Sequence, residues 1–313
     1  MTRAEGREEE AWLDEVLSGN KLVYSTTNFL KVPLREALER IAAGRFRNVE
    51  LWGNLKHLDP RNEAEDVRQV DRTARRLGLR IVSIHAPFTV AQPGSPAGRM
   101  SVWEGLVRSS LDHADFLGAS QVVVHPFTAG ADESDYHYGE MTARTEGSLV
   151  RLADLAAGYG IRLAVENMPG HRNRRYGRKV GELYEFVVRS GRANLGLCLD
   201  TGHVIFNHGD VVGEFTAYAD RIFAVHLNDN IWGMHMDLHL VPGTGSVDWQ
   251  GFRSALAEVP FDGMIVLELD SRGRPSSIFS EAQAFAREFF AVPLAAGREK
   301  AEGNLSKQRE NGQ

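Results

Sequence analysis

Five imidazoles and four carboxylates stand at or just beyond the ends of β-rich runs in this sequence. They are His85 (I-H-A-P-F), His125 (V-H-P-F), Glu166 (V-E-N-M-P-G), Asp200 with His203 (L-D-T-G-H), His226 (V-H-L-N-D-N), Asp237 with His239 (D-L-H-L-V-P-G-T-G) and Glu268 (L-E-L). No thiolate accompanies them. Nitrogen and oxygen donors of this kind suit borderline or hard divalent cations such as zinc, manganese, cobalt or iron. D-x-x-H sets two donors about one turn apart just past a strand end, and D-x-H sets two on one side of an extended loop. One histidine at a strand end is ordinarily a hydrogen-bonded structural residue. The grouping is what points to a metal, since several buried charges of one sign at one place require a cation. Of the 11 histidines in the chain, His57, His113, His137, His171, His208 and His235 are expected on the surface or in loops, with His137 and His235 nearest the others.

The elements that must position these groups alternate strictly. Strands are expected at 22–26, 48–52, 80–85, 121–125, 162–166, 195–200, 222–227 and 264–269, several of them near-continuous Val/Ile/Leu runs. Such runs fit parallel strands buried on both faces. Amphipathic helical patterns lie near 34–43, 62–77, 101–117, 143–158, 180–190, 210–219, 248–258 and 279–291. Gly44, Gly78, Gly118, Gly160 and Gly191 stand where a helix ends in a left-handed residue. Eight strands and eight helices in alternation predict an α/β fold, a single (β/α)8 TIM barrel with its chemistry at the C-terminal strand ends. An open doubly wound sheet is the runner-up, but no G-x-G-x-x-G follows the first strand.

The barrel is expected over residues 21–292. Residues 1–20 form a charged N-terminal extension that supplies −4 of the net −6 charge, with Trp12, Leu13, Val16 and Leu17 spaced for one helical face. Residues 293–313 are too polar to offset their ordering entropy and are expected to be disordered. The mildly acidic balance excludes a strongly basic nucleic-acid binder, though not a local basic patch. One cysteine excludes an internal disulfide and fits a reducing compartment. The charged start is no signal peptide, and no apolar run approaches a membrane span, so a cytoplasmic protein without a membrane partner is expected.

At the strand-end motifs the sequence resembles the xylose-isomerase-like TIM barrel superfamily, over about residues 21–292. That superfamily holds sugar phosphate isomerases and epimerases together with the endonuclease IV type of abasic-site endonuclease. The resemblance to its ketose 3-epimerases implies one metal ion on Glu166, Asp200, His226 and Glu268. The ion would polarise a sugar carbonyl, Glu166 and Glu268 would act as paired base and acid across an enediolate, and His203 would bind a substrate oxygen. The resemblance to endonuclease IV implies three zinc ions on all nine groups. There Glu166 would bridge two ions and an activated water would attack phosphorus. Against the endonuclease stand Phe88 where H-A-P-Y is usual, the acidic body, the absence of intercalating loop residues, and a D-N-I-W-G start lacking the basic D-S-K pattern.

The expected function is therefore a metal-dependent isomerase or epimerase of a sugar or sugar phosphate, with a zinc-dependent endonuclease or other phosphodiesterase as the alternative. One to three ions (zinc, manganese or cobalt) are expected per chain, nucleic acid is a partner only under the alternative, and a homo-oligomer is compatible with the sequence. Arg172, Arg174, Arg175, Arg178 and Lys179 follow the fifth strand and could clamp a phosphate, or could form a solvated loop. Trp52, Phe88, Phe127 and Trp232 could shape a sugar pocket or pack the rim. G-T-G at 243–245 reads as a turn and Cys198 as core rather than nucleophile. A non-catalytic binding barrel would be favoured by loss of ligands, and none is lost.

Overall fold

Alternation along the strands decides which residues reach the barrel interior. In Arg162–Glu166, Leu163 and Val165 join the outer core against the helices, whereas Ala164 joins the inner one. Glu166, two residues on, projects to the same side as Ala164. The same rule sends Cys198 and Asp200, Ala224 and His226, Val266 and Glu268, and Val123 and His125 inward in pairs. Each pair is a small apolar residue below and a polar one above.

The computed structural model describes residues 21–53, 57–58, 60, 64–87, 95–127, 138–170, 176–270 and 275–290. Eight strands run parallel in sequence order: β1 Leu22–Ser25, β2 Asn48–Trp52, β3 Arg80–His85, β4 Gln121–Val124, β5 Arg162–Glu166, β6 Leu195–Asp200, β7 Ile222–Leu227 and β8 Met264–Leu267. The sheet closes through β8 pairing with β1, Val23 opposite Val266. The chain is a single (β/α)8 TIM barrel. Strands β4 and β8 stop one and two residues earlier than expected, which leaves His125 and Glu268 just beyond them.

Around the sheet lie α1 Leu34–Ala43, α2 Ala64–Arg76, α3 Pro96–Leu117, α4 Tyr138–Gly158, α5 Val180–Ser190, α6 Thr201–Phe206, α7 Val211–Tyr218, α8 Trp249–Glu258 and α9 Pro275–Phe289. Helix α6 was not expected. It starts because the Asp200 carboxylate accepts a hydrogen bond from the His203 N–H at 2.7 Å and so caps the new helix. Inside the barrel Val23, Val123, Ala164, Cys198, Ala224, Met264 and Val266 form an apolar plug under the mouth. Burial pushes the Cys198 thiol far up, as befits a core residue.

Two expectations need correction. His113 is buried within α3 rather than on the surface or in a loop, and His57, which does lie in a loop, is buried with its Nε2 2.9 Å from the Phe29 carbonyl. Gly44 is not left-handed (φ −74°), and the left-handed residue after α1 is Arg45 (φ 67°). Glycine is needed at 44 for close approach, because a Cβ there would meet the Phe279 ring at 2.7 Å. The expected N-terminal extension and C-terminal tail lie outside the described residues. Among the described residues no helix is long and apolar enough to cross a membrane.

Phe279 stacks on Tyr24 at 5.0 Å and on Phe29 at 5.3 Å, so it cannot swing aside. Gly44→Ala is therefore expected to cost about 1–3 kcal/mol through overpacking, read as a lower urea midpoint. An unchanged midpoint would show that the ring yields.

Candidate metal centre

All nine sequence-selected groups lie together at the C-terminal mouth. Glu166 sits at its middle, fully buried, with Oε2 2.9 Å from both His85 Nε2 and His125 Nε2. Its Oε1 faces His226 Nδ1 at 3.4 Å and His203 Nδ1 at 3.5 Å. Glu268 Oε2 lies 2.8 Å from His226 Nδ1, and the Thr27 hydroxyl holds Glu268 Oε1 at 3.3 Å. Asp237 joins His203 and His239, both at 3.2 Å. Among the described residues three sets have donor atoms within 4.8 Å of one another: His85, Glu166 and His226; Asp200, His203 and His239; and Glu166, Asp200, His226 and Glu268.

Three of the imidazoles are oriented by backbone carbonyls. His85 Nδ1 lies 3.0 Å from the Ala86 oxygen, His203 Nδ1 2.8 Å from the Asn167 oxygen, and His239 Nδ1 3.2 Å from the Glu268 oxygen. A carbonyl can only accept, so each Nδ1 is an N–H and each Nε2 is the nitrogen left for the centre. Asp200 is fixed as firmly. Its Oδ1 accepts from the His203 N–H and its Oδ2 from the Asn228 amide at 2.6 Å, while Asn167 bridges its backbone on both sides. Gly202 makes this possible, since any Cβ there would fall inside the Asn228 side chain.

Asp237 and His239 ride on the segment after β7, which Asp229 clasps. Its carboxylate accepts from the N–H groups of Gly243, Gly245 and Val247 and from the Trp249 indole, all at 2.9–3.1 Å. The G-T-G turn is thus a loop anchor. Asp229 and the asparagines 167 and 228 were not singled out in the sequence, although V-E-N and H-L-N-D-N contain them. Glu50 was also missed. It is fully buried inside the barrel, a lone acid in N-V-E-L-W two residues before Trp52.

The other expected residues divide. Trp52 is buried against the His85 ring at 4.1 Å and forms part of the site wall. Phe127 is core beside Trp103, and Trp232 is 54% exposed against His208. His235 lies 6.2 Å from His208 in that outer group. Arg172, Arg174, Arg175, Phe88, His137 and His171 lie outside the described residues.

The electrostatics show what the cluster lacks. Burial disfavours charge on His203, yet Asp200 and Asp237 beside it outweigh this and raise it to about 9. Burial also works against His226 and His239, but Cys198 and the carboxylates around His226, and the carboxylates around His239, hold both well above the ordinary imidazole range. Burial lifts Asp200 to about 6, and it depresses His125 to about 4. Glu166 and Glu268 are held low against burial by facing imidazoles, Glu268 at about 2. Protons on histidine thus stand in for cations. Glu166 Oε1, Glu268 Oε2 and His226 Nδ1 are nonetheless buried without a hydrogen-bond partner. Converging donors with unspent lone pairs, already oriented, fit a divalent ion.

Residues 38–289 match the family model described as xylose isomerase-like TIM barrel. An uncharacterized protein of Methanocaldococcus jannaschii is 29% identical over 252 residues, 79% of this chain and 83% of that protein. The 3-dehydroshikimate dehydratase of Pseudomonas aeruginosa is 31% identical over 77% of this chain, which spans only 36% of that longer protein. A probable endonuclease 4 of Thermoplasma acidophilum is 25% identical over 56% of this chain and 62% of its own. The crystal structure of a D-tagatose 3-epimerase-like protein superposes with a TM-score of 0.72 at 24% identity, covering 87% of this chain and 97% of that one, and so shares the fold.

Asp200 and Asp237 outweigh burial and raise His203 to about 9 in the metal-free protein, so an ion that takes His203 as a ligand must displace that proton. Ion affinity is expected to rise with pH, by up to about tenfold per unit for each proton displaced, and to level off above that value. Calorimetric titration in two buffers of different ionisation enthalpy checks this. Affinity that does not change between about pH 6.5 and about pH 8.5 would contradict it.

Proposed function

As the chain belongs to the xylose isomerase-like TIM barrel family, we propose that it is a metal-dependent isomerase or epimerase of a sugar or sugar phosphate, acting through an enediolate. The observation that carries this reading is the tetrad of Glu166, Asp200, His226 and Glu268, in which Glu166 Oε1 and Glu268 Oε2 are buried without a hydrogen bond and converge on His226 Nδ1. A divalent ion held there supplies a Lewis acid that polarises a carbonyl and its neighbouring hydroxyl.

The protein's own groups do the proton work in this reading. Glu166 and Glu268 enter from β5 and β8, on different sides of the mouth. One removes the C–H proton beside the polarised carbonyl and the other returns a proton from its own side. His203, anchored through Nδ1, turns Nε2 toward a substrate oxygen. The apolar plug below and Trp52 at the wall keep bulk water from the enediolate. Arg172, Arg174 and Phe88 belong to the same proposal, as phosphate clamp and rim. The likeness to a D-tagatose 3-epimerase-like protein and to 3-dehydroshikimate dehydratase supports a small-molecule substrate.

A second reading has one specific observation in its favour. A single ion leaves Asp237 and His239 beside His203, and His85 and His125 on Glu166, without a task. Three ions would use all of them, as in a phosphodiesterase of the endonuclease IV type. Metal analysis of the purified protein, with an abasic-DNA nicking assay, separates the two. The isomerase reading expects no nicking, and three zinc ions with metal-dependent cleavage would replace it.

Turnover of a ketose or aldose panel in deuterium oxide is expected to place one solvent deuterium on the reacting carbon. Glu166→Gln and Glu268→Gln are each expected to lower kcat by about 10²–10⁴-fold. Turnover without any exchange would rule out the enediolate.

A further inference from the structure

Glu50 is a buried acid that the chemistry above leaves unexplained. It lies in mid-β2 with no solvent exposure. A register shift between Val49 and Glu50 sets it opposite Ser83 of β3, whose hydroxyl donates to Glu50 Oε2 at 2.8 Å. The other oxygen, Oε1, has no hydrogen-bond partner and lies 3.3 Å from His226 Nε2. A carboxyl group so enclosed, with one oxygen unpaired, is costly unless another group uses it.

His226 shows what the use is. His85, His203 and His239 each rest one ring nitrogen on a backbone carbonyl. His226 has no such bond, and its two nitrogens are buried without hydrogen-bond partners. Its ring spans from Glu268 and Glu166 on the Nδ1 side to Glu50 on the Nε2 side. Unlike those three, its Nδ1 rests on no backbone carbonyl, and the group on its Nε2 side is a carboxylate. A carboxylate behind a ligating imidazole holds the far N–H, selects the tautomer and makes the near nitrogen a stronger donor.

We propose that Glu50 is a positioning residue for the ion of the Glu166, Asp200, His226 and Glu268 set, holding His226 with its Nδ1 lone pair toward that ion. Ser83 completes the device by fixing Glu50 from behind. The inference rests on the ligand set proposed above, not on which reaction the ion serves. Glu50 itself touches neither ion nor substrate.

The test uses full-length protein stripped of metal and titrated with cobalt(II) against a chromophoric chelator, recording the visible cobalt spectrum. His226→Ala identifies the site and tests the ligand set: if it leaves every cobalt site unchanged, that set fails, whatever Glu50 does. If it removes a site, Glu50→Gln is expected to weaken the same site by about 10–100-fold and alter its spectrum. The metal-free unfolding midpoint should stay within about 2 °C, since charge is lost but shape is kept. Wild-type affinity and spectrum in Glu50→Gln would overturn the role, as would a lowered midpoint with unchanged affinity. Ser83→Ala, which keeps the carboxylate, guards against misfolding. It is expected to weaken the same site by about 3–10-fold, and unchanged affinity there would count against the proposal if Glu50→Gln does not fold.

Discussion

Four carboxylates and five imidazoles share the mouth of this barrel, and seven of the nine are almost wholly out of water. Each unpaired charge so placed would cost several kcal/mol, so positive charge must come from somewhere. Protons on the histidines provide it in the metal-free chain, which is why His226 and His239 are held far above and Glu166 far below their ordinary ranges. A divalent ion answers the same need with fewer particles and stronger bonds. The fold around the mouth is arranged to favour that exchange.

The arrangement follows one rule, in which each donor has one end held and the other left for the centre. Thr27 holds one oxygen of Glu268, His85 and His125 hold one oxygen of Glu166, and Ser83 holds one oxygen of Glu50. Backbone carbonyls hold one nitrogen of three imidazoles. Strand alternation brings the groups to one level, and small apolar residues two positions earlier fill the space beneath. Even the segment after β7 obeys this rule, because Asp229 gathers four donors and so delivers Asp237 and His239 to a rigid place.

Much of this was legible before any coordinates. Near-continuous Val/Ile/Leu runs fit parallel strands, and eight strand patterns with helices between leave few alternatives to a closed barrel. Strand ends were placed within two residues, and once the strand order is known the ends point to one mouth. Chemically distinctive side chains there, nine in all, could be picked out by type alone. The glycines after α2, α3, α4 and α5 are left-handed, as expected. Gly44 did not, because a close ring contact and a left-handed turn both select glycine and only packing tells them apart.

Local pattern therefore determined the barrel, its strands and the ring of candidate ligands, because periodicity and side-chain type are properties of short segments. Tertiary structure alone decided which candidate ligands come within reach of one another, which nitrogen each imidazole presents, and where protons gather. Those depend on atoms that meet across strands: Glu50 reaches His226 from five strands away, and Asn228 reaches Asp200. Glu50 resembled any polar residue inside a strand until β2 and β7 faced each other across the interior. A buried carboxylate acquires its role from what lies opposite, and closure of the barrel sets that.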